Sequence, residues 1–350
     1  MYTIPEEKIK KLEELVDAAS RITVVTHTRP DGDAMGSATA MRSFLTSCRS
    51  KEARIVIANA YSDTLAFILT KDGAGDILQH DRDRDDTECW ISSSDLIIAL
   101  DFNAFKRTDA LQDILSASKA KKALIDHHLS PDEAAFDVCI SETEISSASE
   151  LLFWTLMSMK GIEGDASRLP EPALTALMTG MTTDTNNFAN SVFPSTLEMA
   201  SLLLSAGVDR DLILQNLYNS YRENRLRLMG MLLYEKMTIT ADGVAYTVLT
   251  KEEQQRYDLK EGELEGYVNM PLGIENVRMS IFLKEDDGYF RVSIRSKRGT
   301  SANRCATLYF NGGGHEQASG GRLFIPQDIA DSSLAAKYIE KKTEEFFKQI

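Results

Sequence analysis

Apolar runs alternate with helical patterns in the first half of the chain. Short apolar runs predict strands, and a helical repeat of apolar positions lies between and beyond them; the strands are predicted at 21–27, 53–59, 95–101 and 122–128, and the helices at 36–48, 148–159 and 171–184. Strands that are apolar along their whole length are typical of a sheet covered by helices on both faces. The first half therefore predicts an α/β fold, with a doubly wound, mostly parallel sheet.

The pattern changes twice in the second half. From about 195 to 235 it is helical throughout, and after 236 alternating strands lead to a last helix, with the turn EDDG between two of the strands. These changes predict three segments. They are an N-terminal α/β domain over 1–190, a helical linker over 191–235 and a smaller α+β C-terminal domain over 236–350.

Composition restricts the classes of function. The chain has 350 residues, enough for two domains, and a net charge of −14. Long duplex nucleic acid is held through many phosphate contacts by Lys and Arg, so an acidic chain is a poor candidate for such a partner. The four cysteines are scattered without a CxxC pair, which argues against a zinc ribbon or a disulfide framework. No signal-peptide pattern and no apolar run of roughly 20 residues is found, so we expect a cytoplasmic protein with no membrane contact.

Acidic and imidazole side chains are concentrated where the predicted strands end. The stretch VTHTRPDGDAMGS, which begins at residue 25, follows the first strand, and the ends of two further strands and of one helix carry the same residue types. The set is His27, Asp31, Asp33, Asp101, Asp126, His127, His128 and Asp184. Ligands of open α/β sheets bind outside the carboxyl ends of the strands, so we expect these side chains to converge on one cleft.

Such a set suits divalent cations. Carboxylates and imidazoles without a nearby cysteine favour Mn²⁺ or Mg²⁺ over structural zinc. Clustered carboxylates are costly unless cations neutralise them, and two ions about 3.5–4 Å apart are suited to phosphoryl transfer. Taken singly, Asp33 would more often cap a helix, an isolated histidine would more often be structural, and His80 is interpreted as a solvated loop residue. The joint pattern favours a metal site, because four of the five histidines lie in polar turns beside Asp or Gly clusters.

Four motifs carry a resemblance to a known family. HTRPDGDAMGS, ALDFN, IDHH and TTDT resemble the motifs of the DHH phosphoesterase superfamily, and FNGGGHEQASGG (310–321) resembles the signature of its DHH-associated C-terminal domain. Size and domain order are similar to the bacterial branch of oligoribonucleases and phosphoadenosine-phosphate phosphatases, the nanoRNases. The resemblance implies a metal-binding phosphoesterase domain over 1–190 and a substrate-binding domain over 236–350.

The resemblance also implies a role for each residue of the cluster. Two Mn²⁺ ions, with Mg²⁺ or Co²⁺ as alternatives, would be held by His27, Asp31, Asp33, Asp101, His127 and Asp184, with Asp101 bridging the two. Asp126 would orient a ligand from behind. His128 would stabilise the scissile phosphate or protonate the leaving oxygen. Asp101, Asp126 and His128 are thus the expected catalytic residues.

Some neighbouring residues stay open. The sequence after Asp101 departs from the family pattern, which leaves the role of Asn103 undefined. Arg107 is as well suited to contact the substrate as to begin a helix. The serine-rich segment EISSASE matches a motif of the branch, but a capping box of Ser147 and Glu150 explains it equally well.

A basic segment near the C-terminus predicts the substrate contacts. Residues 291–304 contain five basic and no acidic residues, and GGGH follows shortly after. Arginines bind phosphate in a bidentate manner, and glycines let backbone N–H groups approach it closely. The predicted substrate residues are Arg295, Ser296, Arg298, Asn303, Gly312, Gly313, Gly314 and His315. The alternative is a flexible glycine turn beside a solvated strand face.

The favoured function is a two-metal phosphoesterase that shortens oligoribonucleotides to 5′-mononucleotides and also converts 3′-phosphoadenosine-5′-phosphate to AMP. Its partners would be short single-stranded oligoribonucleotides or small phosphorylated nucleotides, and a homodimer is left open. Cyclic or linear dinucleotides are the alternative substrates. A catalytically silent nucleotide-binding protein is the alternative from another class, and complete metal ligands weigh against it. An inorganic pyrophosphatase ranks lower because of the GGGH segment.

Overall fold

The computed structural model of the chain describes residues 2–69, 76–219, 221–260, 262–264 and 266–349. The chain divides into two units, Met1–Ser220 and Tyr221–Ile350. Among the described residues, no helix is long and apolar enough to cross a membrane.

Strands and helices alternate along the first unit. Its strands are β1 Arg21–Val25, β2 Glu52–Ile57, β3 Ile77–Gln79, β4 Leu96–Leu100, β5 Lys121–Asp126 and β6 Val138–Ser141. Its helices are α1 Glu6–Ala18, α2 Gly32–Arg49, α3 Ala66–Leu69, α4 Arg84–Ser92, α5 Gln112–Ala117, α6 Ala148–Met157, α7 Glu171–Asp184, α8 Pro194–Ser205 and α9 Arg210–Tyr218.

The described strands of this unit form one parallel sheet in the order β3-β2-β1-β4-β5-β6. The chain order reverses between β1 and β4, which lie side by side in the centre. In sheets of this kind the crevice at the reversal is the usual place for a ligand. The predicted doubly wound α/β fold is therefore confirmed.

Alternate residues of each strand face two separate cores. On one face, Ile22 and Val24 of β1 pack with α1, α2, α6 and α7. On the other face, Val25 packs with Trp90 of α4 and Leu115 of α5. Because both faces are covered, the strands are apolar along their whole length, as the sequence shows.

Two glycines let α2 and α7 approach each other closely. A Cβ at Gly36 would lie 2.6 Å from the carbonyl oxygen of Ala176 and 2.9 Å from the backbone of Gly180. A Cβ at Gly180 would lie 2.0 Å from Ser149 Oγ on α6. The crossing of these helices thus depends on the missing side chains, and it brings the beginning of α2 to the beginning of α6.

The second unit contains a mixed sheet with helices. Its strands are β7 Thr238–Ile239, β8 Val244–Leu249, β9 Met279–Asp286, β10 Tyr289–Ser296, β11 Gly313–Gly314 and β12 Ala318–Phe324, in the order β11-β12-β10-β9-β8-β7. Its helices are α10 Glu223–Met231, α11 Lys251–Arg256, α12 Ala302–Tyr309 and α13 Ala335–Phe347. β8 and β9 are parallel, whereas β9 and β10 form an antiparallel hairpin, with the turn where EDDG predicted it. Leu283, Ile294 and Phe310 lie in its core.

The segment predicted as a linker, 191–235, is divided between the two units. Met199 and Leu203 of α8 and Ile213 of α9 belong to the core of the first unit. Leu228 of α10 packs instead in a cluster of the second unit. These helices carry buried apolar faces, and such faces pack into the nearest core rather than stand apart.

His80 is not the solvated loop residue expected from the sequence. Its side chain is buried, with 7% of its surface exposed. Its backbone N–H continues the β2–β3 ladder to Ile57 O at 2.9 Å, and its ring Nε2 lies 3.3 Å from Glu88 Oε1. The acidic sequence around it concealed this strand extension.

Candidate metal centre

The loop after β1 leads directly into the N-terminus of α2. Asp31 is the N-cap, and its Oδ1 accepts hydrogen bonds from the N–H groups of Asp33 and Ala34, both at 3.1 Å. Asp33 is therefore not the cap of α2, because the helix begins at Gly32 and Asp33 lies in its first turn. Asp31 keeps its second carboxylate oxygen for another partner.

Asp33 binds the N-terminus of a different helix. Its carboxylate accepts the N–H groups of Ala148 at 2.6 Å and Ser149 at 2.8 Å, the first two residues of α6. The serine-rich segment therefore begins α6 and supplies these N–H groups, which the sequence analysis missed. Ser147 caps α6 by accepting the Glu150 N–H at 3.0 Å, whereas the Glu150 carboxylate accepts from Ser146. Only the serine half of the predicted capping box is formed.

Asp101 lies at the centre of the cluster. It follows β4 with a left-handed φ of 63°, a conformation that Asp and Asn adopt more readily than most residues. Its Oδ2 lies 3.4 Å from His27 Nε2, and its Oδ1 lies 3.4 Å from His127 Nε2. Oδ1 is buried and accepts no hydrogen bond from any described residue. Buried charges in proteins are paired with an opposite charge or coordinate a metal, and the His127 imidazole is the neighbour that faces this oxygen.

The ring of His27 is oriented by its own backbone. His27 Nδ1 lies 2.9 Å from Thr28 O, and because a carbonyl oxygen only accepts, this nitrogen donates. Nε2 is then the nitrogen available to a cation, as in histidines that bind metals. It points toward the carboxylates of Asp101, at 3.4 Å, and Asp31, at 3.9 Å.

His127 faces three carboxylates. Its Nε2 lies 3.9 Å from Asp33 Oδ2, 3.4 Å from Asp101 Oδ1 and 3.7 Å from Asp184 Oδ2. Asp184, the last residue of α7, thus reaches the strand ends from a helix. The distances leave room for an ion between the groups.

Asp126 orients His128. The buried Asp126 carboxylate accepts His128 Nδ1–H at 2.8 Å and the His128 backbone N–H at 3.2 Å. The ring of His128 stands edge-on to that of His127, with centroids 4.8 Å apart. With Nδ1 committed to Asp126, Nε2 is the nitrogen that can exchange a proton with a ligand.

The surrounding carboxylates raise the pKa values of two of the imidazoles, those of His27 and His127. Burial lowers the pKa of His27 and of His127, but the Asp101 carboxylate and the neighbouring acidic charges outweigh it. The pKa of His27 rises to about 9 and that of His127 to about 10. Metal binding must therefore displace these protons.

The pKa values of two buried carboxylates shift in opposite directions. Burial opposes ionisation of Asp101, yet the contacts with His127 and His27 hold its pKa well below the usual range. Burial raises the pKa of Asp33 well above its ordinary value, and the charges of Asp101 and Asp184 raise it further. The raised pKa of Asp33 reflects burial and repulsion between neighbouring carboxylates, and a bound cation would relieve that repulsion.

Asp101 is shared by three groups of donor atoms. Asp126 and His128, already hydrogen-bonded to each other, form one of them with Asp101, and the other two are the candidate metal-binding groups. His27, Asp31 and Asp101 offer ligand atoms that all lie within 4.8 Å of one another, and so do Asp33, Asp101 and His127. Oxygen and imidazole donors without thiolate fit Mn²⁺ or Mg²⁺. The residues present therefore fit a divalent metal centre. Its ligand assignments and the roles given to individual residues remain predictions.

Asn103 and Arg107 lie in the segment after β4. Asn103 Nδ2 donates to Leu129 O at 2.8 Å and so connects this segment to the loop after β5. Arg107 lies within a 3₁₀ helix, Phe105–Leu111, and its carbonyl oxygen accepts the Thr28 N–H at 2.8 Å. Asn103 thus connects two loops of the centre, and the Arg107 backbone holds the loop beside His27.

The residues predicted to bind substrate meet around the N-terminus of α12. Arg295 and Ser296 end β10, Asn303 lies in the first turn of α12, and the glycines form β11 and its approach. Several of these side chains already have partners within the fold. Arg295 Nη1 donates to Ile294 O at 3.0 Å. Ser296 Oγ donates to Thr300 O at 2.6 Å, and Asn303 Nδ2 donates to Gly314 O. Arg298 is exposed in the turn after β10, and His315 is half-buried in the turn after β11.

The three glycines of GGGH differ in what the fold requires. A Cβ at Gly312 would lie 1.9 Å from Gly320 O, and Gly314 has a φ of 141° with Ala318 O 2.8 Å from the added atom. At Gly313 a Cβ would meet no described atom within 4 Å. Packing thus explains why positions 312 and 314 require glycine, but it gives no such reason for Gly313.

Fold and site together define an α/β protein with an aspartate–histidine cluster whose residues fit divalent cations. The profile of the DHH family, N-terminal domain, matches residues 21–181, and that of the DHHA1 domain matches residues 242–339. The chain belongs to the DHH family and carries a DHHA1 domain.

Named relatives are similar over most of the chain. The chain is 27% identical over 312 residues to the bifunctional oligoribonuclease and PAP phosphatase NrnA of Bacillus subtilis, covering 88% of this chain and 91% of that protein. It is 27% identical over 321 residues to the NrnA of Thermus thermophilus, covering 91% and 89%. A solved exopolyphosphatase-related protein from Bacteroides fragilis is 38% identical, with a TM-score of 0.89 over 99% of this chain and 98% of that one.

Proposed function

We propose that the protein is a Mn²⁺-dependent phosphoesterase that hydrolyses short oligoribonucleotides to 5′-mononucleotides. We propose further that it removes the 3′-phosphate of 3′-phosphoadenosine-5′-phosphate. The observation that carries the proposal is the buried Asp101 carboxylate between the two candidate metal-binding groups. The names of the Bacillus and Thermus relatives support the substrate class.

The residues of the metal centre have separate proposed roles. Bound divalent cations supply Lewis-acid polarisation of the phosphoryl oxygens and lower the pKa of water, which makes it a nucleophile. Asp101, Asp33, Asp184 and His127 would be among the residues that hold these cations. His128, oriented by Asp126, donates a proton to the leaving oxygen through Nε2.

The basic segment of the second unit supplies affinity for phosphate. Arg295 and Arg298 offer planar donor groups, and Gly313 lets the backbone approach a phosphate oxygen. Few such contacts are available, which favours a short substrate over a long nucleic acid.

The substrate class is tested by comparing two RNAs of different length. With Mn²⁺ and equal substrate concentrations, we expect an end-labelled RNA dinucleotide to be cleaved faster than a 24-nucleotide RNA, because few phosphate contacts can be made. Chelation with EDTA should stop the reaction, and added Mn²⁺ should restore it. Release of 5′-mononucleotides is followed by chromatography.

Three results would count against this assignment. If the protein hydrolysed neither the RNAs nor 3′-phosphoadenosine-5′-phosphate, the proposal would be contradicted. Faster turnover of a cyclic dinucleotide would favour the alternative substrate. Tight nucleotide binding without turnover in Mn²⁺ would favour a binding protein.

A pair of glycine variants tests the substrate segment. Gly313→Ala should leave the melting temperature unchanged, because the added methyl group would meet no described atom within 4 Å, and it should raise KM by obstructing phosphate. Gly312→Ala should lower the melting temperature, because its Cβ collides with Gly320 O. Steady-state kinetics and thermal unfolding measure both. An unchanged KM in Gly313→Ala would mean that the segment is only a structural turn.

A further inference from the structure

Asp184 is the most exposed of the three carboxylates that face His127. Its side chain is 33% exposed, whereas those of Asp33 and Asp101 are 2% and 4% exposed. It is also the last residue of α7, where the helix dipole disfavours a negative charge. Burial and the helix therefore contribute little to holding this carboxylate toward His127, and the turn that follows α7 fixes the backbone on its C-terminal side.

That turn has an uncommon backbone. Three consecutive residues, Asn186, Asn187 and Phe188, have left-handed φ values of 47°, 57° and 66°. Asparagine tolerates this conformation, but a bulky residue such as phenylalanine rarely adopts it. Local hydrogen bonds support the turn: the Asn187 N–H reaches Thr182 O at 2.8 Å, and the Phe188 N–H reaches Thr185 Oγ1 at 3.0 Å. The first of these bonds spans Asp184, and the second holds the turn directly after it.

Helix α9 clamps the turn from outside. Arg210 Nη2 donates to Asn187 Oδ1 at 2.6 Å, and its guanidinium lies 5.7 Å from the centre of the Phe188 ring. Arg210 is the first residue of α9, whose N-cap Asp209 accepts the Leu212 N–H at 2.9 Å. The arginine thus starts from a fixed backbone and contacts two of the three left-handed residues.

We propose that Arg210 is a positioning residue for the metal centre. Through Asn187 and Phe188 it keeps the left-handed turn in place, and the turn keeps the Asp184 carboxylate directed at His127. The proposal rests on the two-metal function proposed above. It goes beyond that function because it makes the binding of one ion depend on a residue that is not itself a metal ligand.

The arrangement predicts an unequal effect on the two ions. His27 and Asp31 belong to the loop after β1, and no contact described above links them to Arg210. Loss of the Arg210 contacts should therefore weaken the binding of the ion that Asp184 helps to hold. The ion held by His27 and Asp31 should keep its original affinity. Removing a group that orients a ligand typically costs about 10–100-fold in metal affinity.

Mn²⁺ binding to the full-length chain tests the proposal directly. Calorimetric titration of metal-free protein should give two ions for the unaltered chain. For Arg210→Ala it should give one unchanged affinity and one about tenfold weaker or more. Electron paramagnetic resonance at two equivalents of Mn²⁺ should then show the spin-coupled signal of an ion pair in the unaltered chain and a larger uncoupled signal in the variant.

Arg84→Ala is the matched control. Arg84 is also the first residue of a helix and also makes a side-chain contact, to Glu88 Oε1 at 2.8 Å. It should change neither affinity. Thermal unfolding of both metal-free variants should show folded proteins.

A double-mutant cycle with Asn187→Ala separates positioning from general destabilisation. If Arg210 acts through Asn187, the affinity for the ion held with Asp184 should fall by less in the double variant than the product of the two separate fold-changes. Two unchanged affinities in Arg210→Ala, or equal weakening of both ions, would overturn the proposal. Fewer than two ions in the unaltered chain would instead contradict the two-metal function on which the proposal rests.

Discussion

Asp101→Asn is expected to reduce Mn²⁺-dependent hydrolysis of an RNA dinucleotide by about 10³-fold or more. Asparagine keeps the shape of the side chain and tolerates the left-handed φ of 63° at this position, so the backbone should not change. It removes the charge shared by both candidate metal-binding groups. Charge stabilisation by bound metal is worth several kcal/mol, and each 1.36 kcal/mol is a factor of about ten in rate.

Asp95→Asn is the matched control for this substitution. Asp95 directly precedes β4, at the opposite end from Asp101, and its Oδ2 accepts the N–H groups of Ser20 and Arg21, both at 2.9 Å. An amide oxygen can accept the same bonds, so activity should be retained. Initial rates and Mn²⁺ titrations of both variants measure the effect. Near-normal hydrolysis by Asp101→Asn would mean that the reaction uses a different site.

Gly36→Ala is expected to destabilise the protein by about 3 kcal/mol, at the upper end of the usual cost of overpacking. The added Cβ would lie 2.6 Å from Ala176 O and 2.9 Å from the Gly180 backbone, and neither backbone can rotate away. α2 and α7 would have to separate. Because α2 carries Asp33 and α7 carries Asp184, Mn²⁺ binding should weaken at the same time. Urea unfolding followed by circular dichroism measures the loss of stability.

Gly230→Ala provides the comparison. Gly230 also lies within a helix, α10, but a Cβ there would meet no described atom within 4 Å. Alanine is favoured over glycine inside a helix by about 1 kcal/mol, so this variant should be as stable as the unaltered chain or more so. If both variants were equally stable, the close approach of α2 and α7 would not be a constraint on the fold.

The fold class was predictable because it depends on local patterns. The apolar strands and the periodic helices lie within a few residues of their predicted positions: 95–101 became β4 Leu96–Leu100, and 171–184 became α7. Errors occurred where a tertiary contact decided the outcome. His80 lies in an acidic stretch, yet the ladder to β2 and the contact with Glu88 bury it.

The residue types at the strand ends were also readable from the sequence. Parallel strands end at the same edge of a sheet, so His27, Asp101 and His127 had to come together once the strands were identified. The metal-ligand types follow from side-chain chemistry alone. Composition likewise disfavoured long nucleic acid before any coordinates were considered.

The partners of those residues were decided by the tertiary structure. Asp33 binds N–H groups 115 and 116 positions away, and the clamp of Arg210 on Asn187 spans 23 positions. Such contacts leave no periodic trace, because they depend on how closely two helices pack and on which backbone groups a neighbouring element leaves unpaired. By itself, the sequence determined the strands, the helices and the chemistry at the strand ends. The tertiary structure decided which carboxylate caps the N-terminus of which helix, and which contacts hold each predicted metal ligand in place.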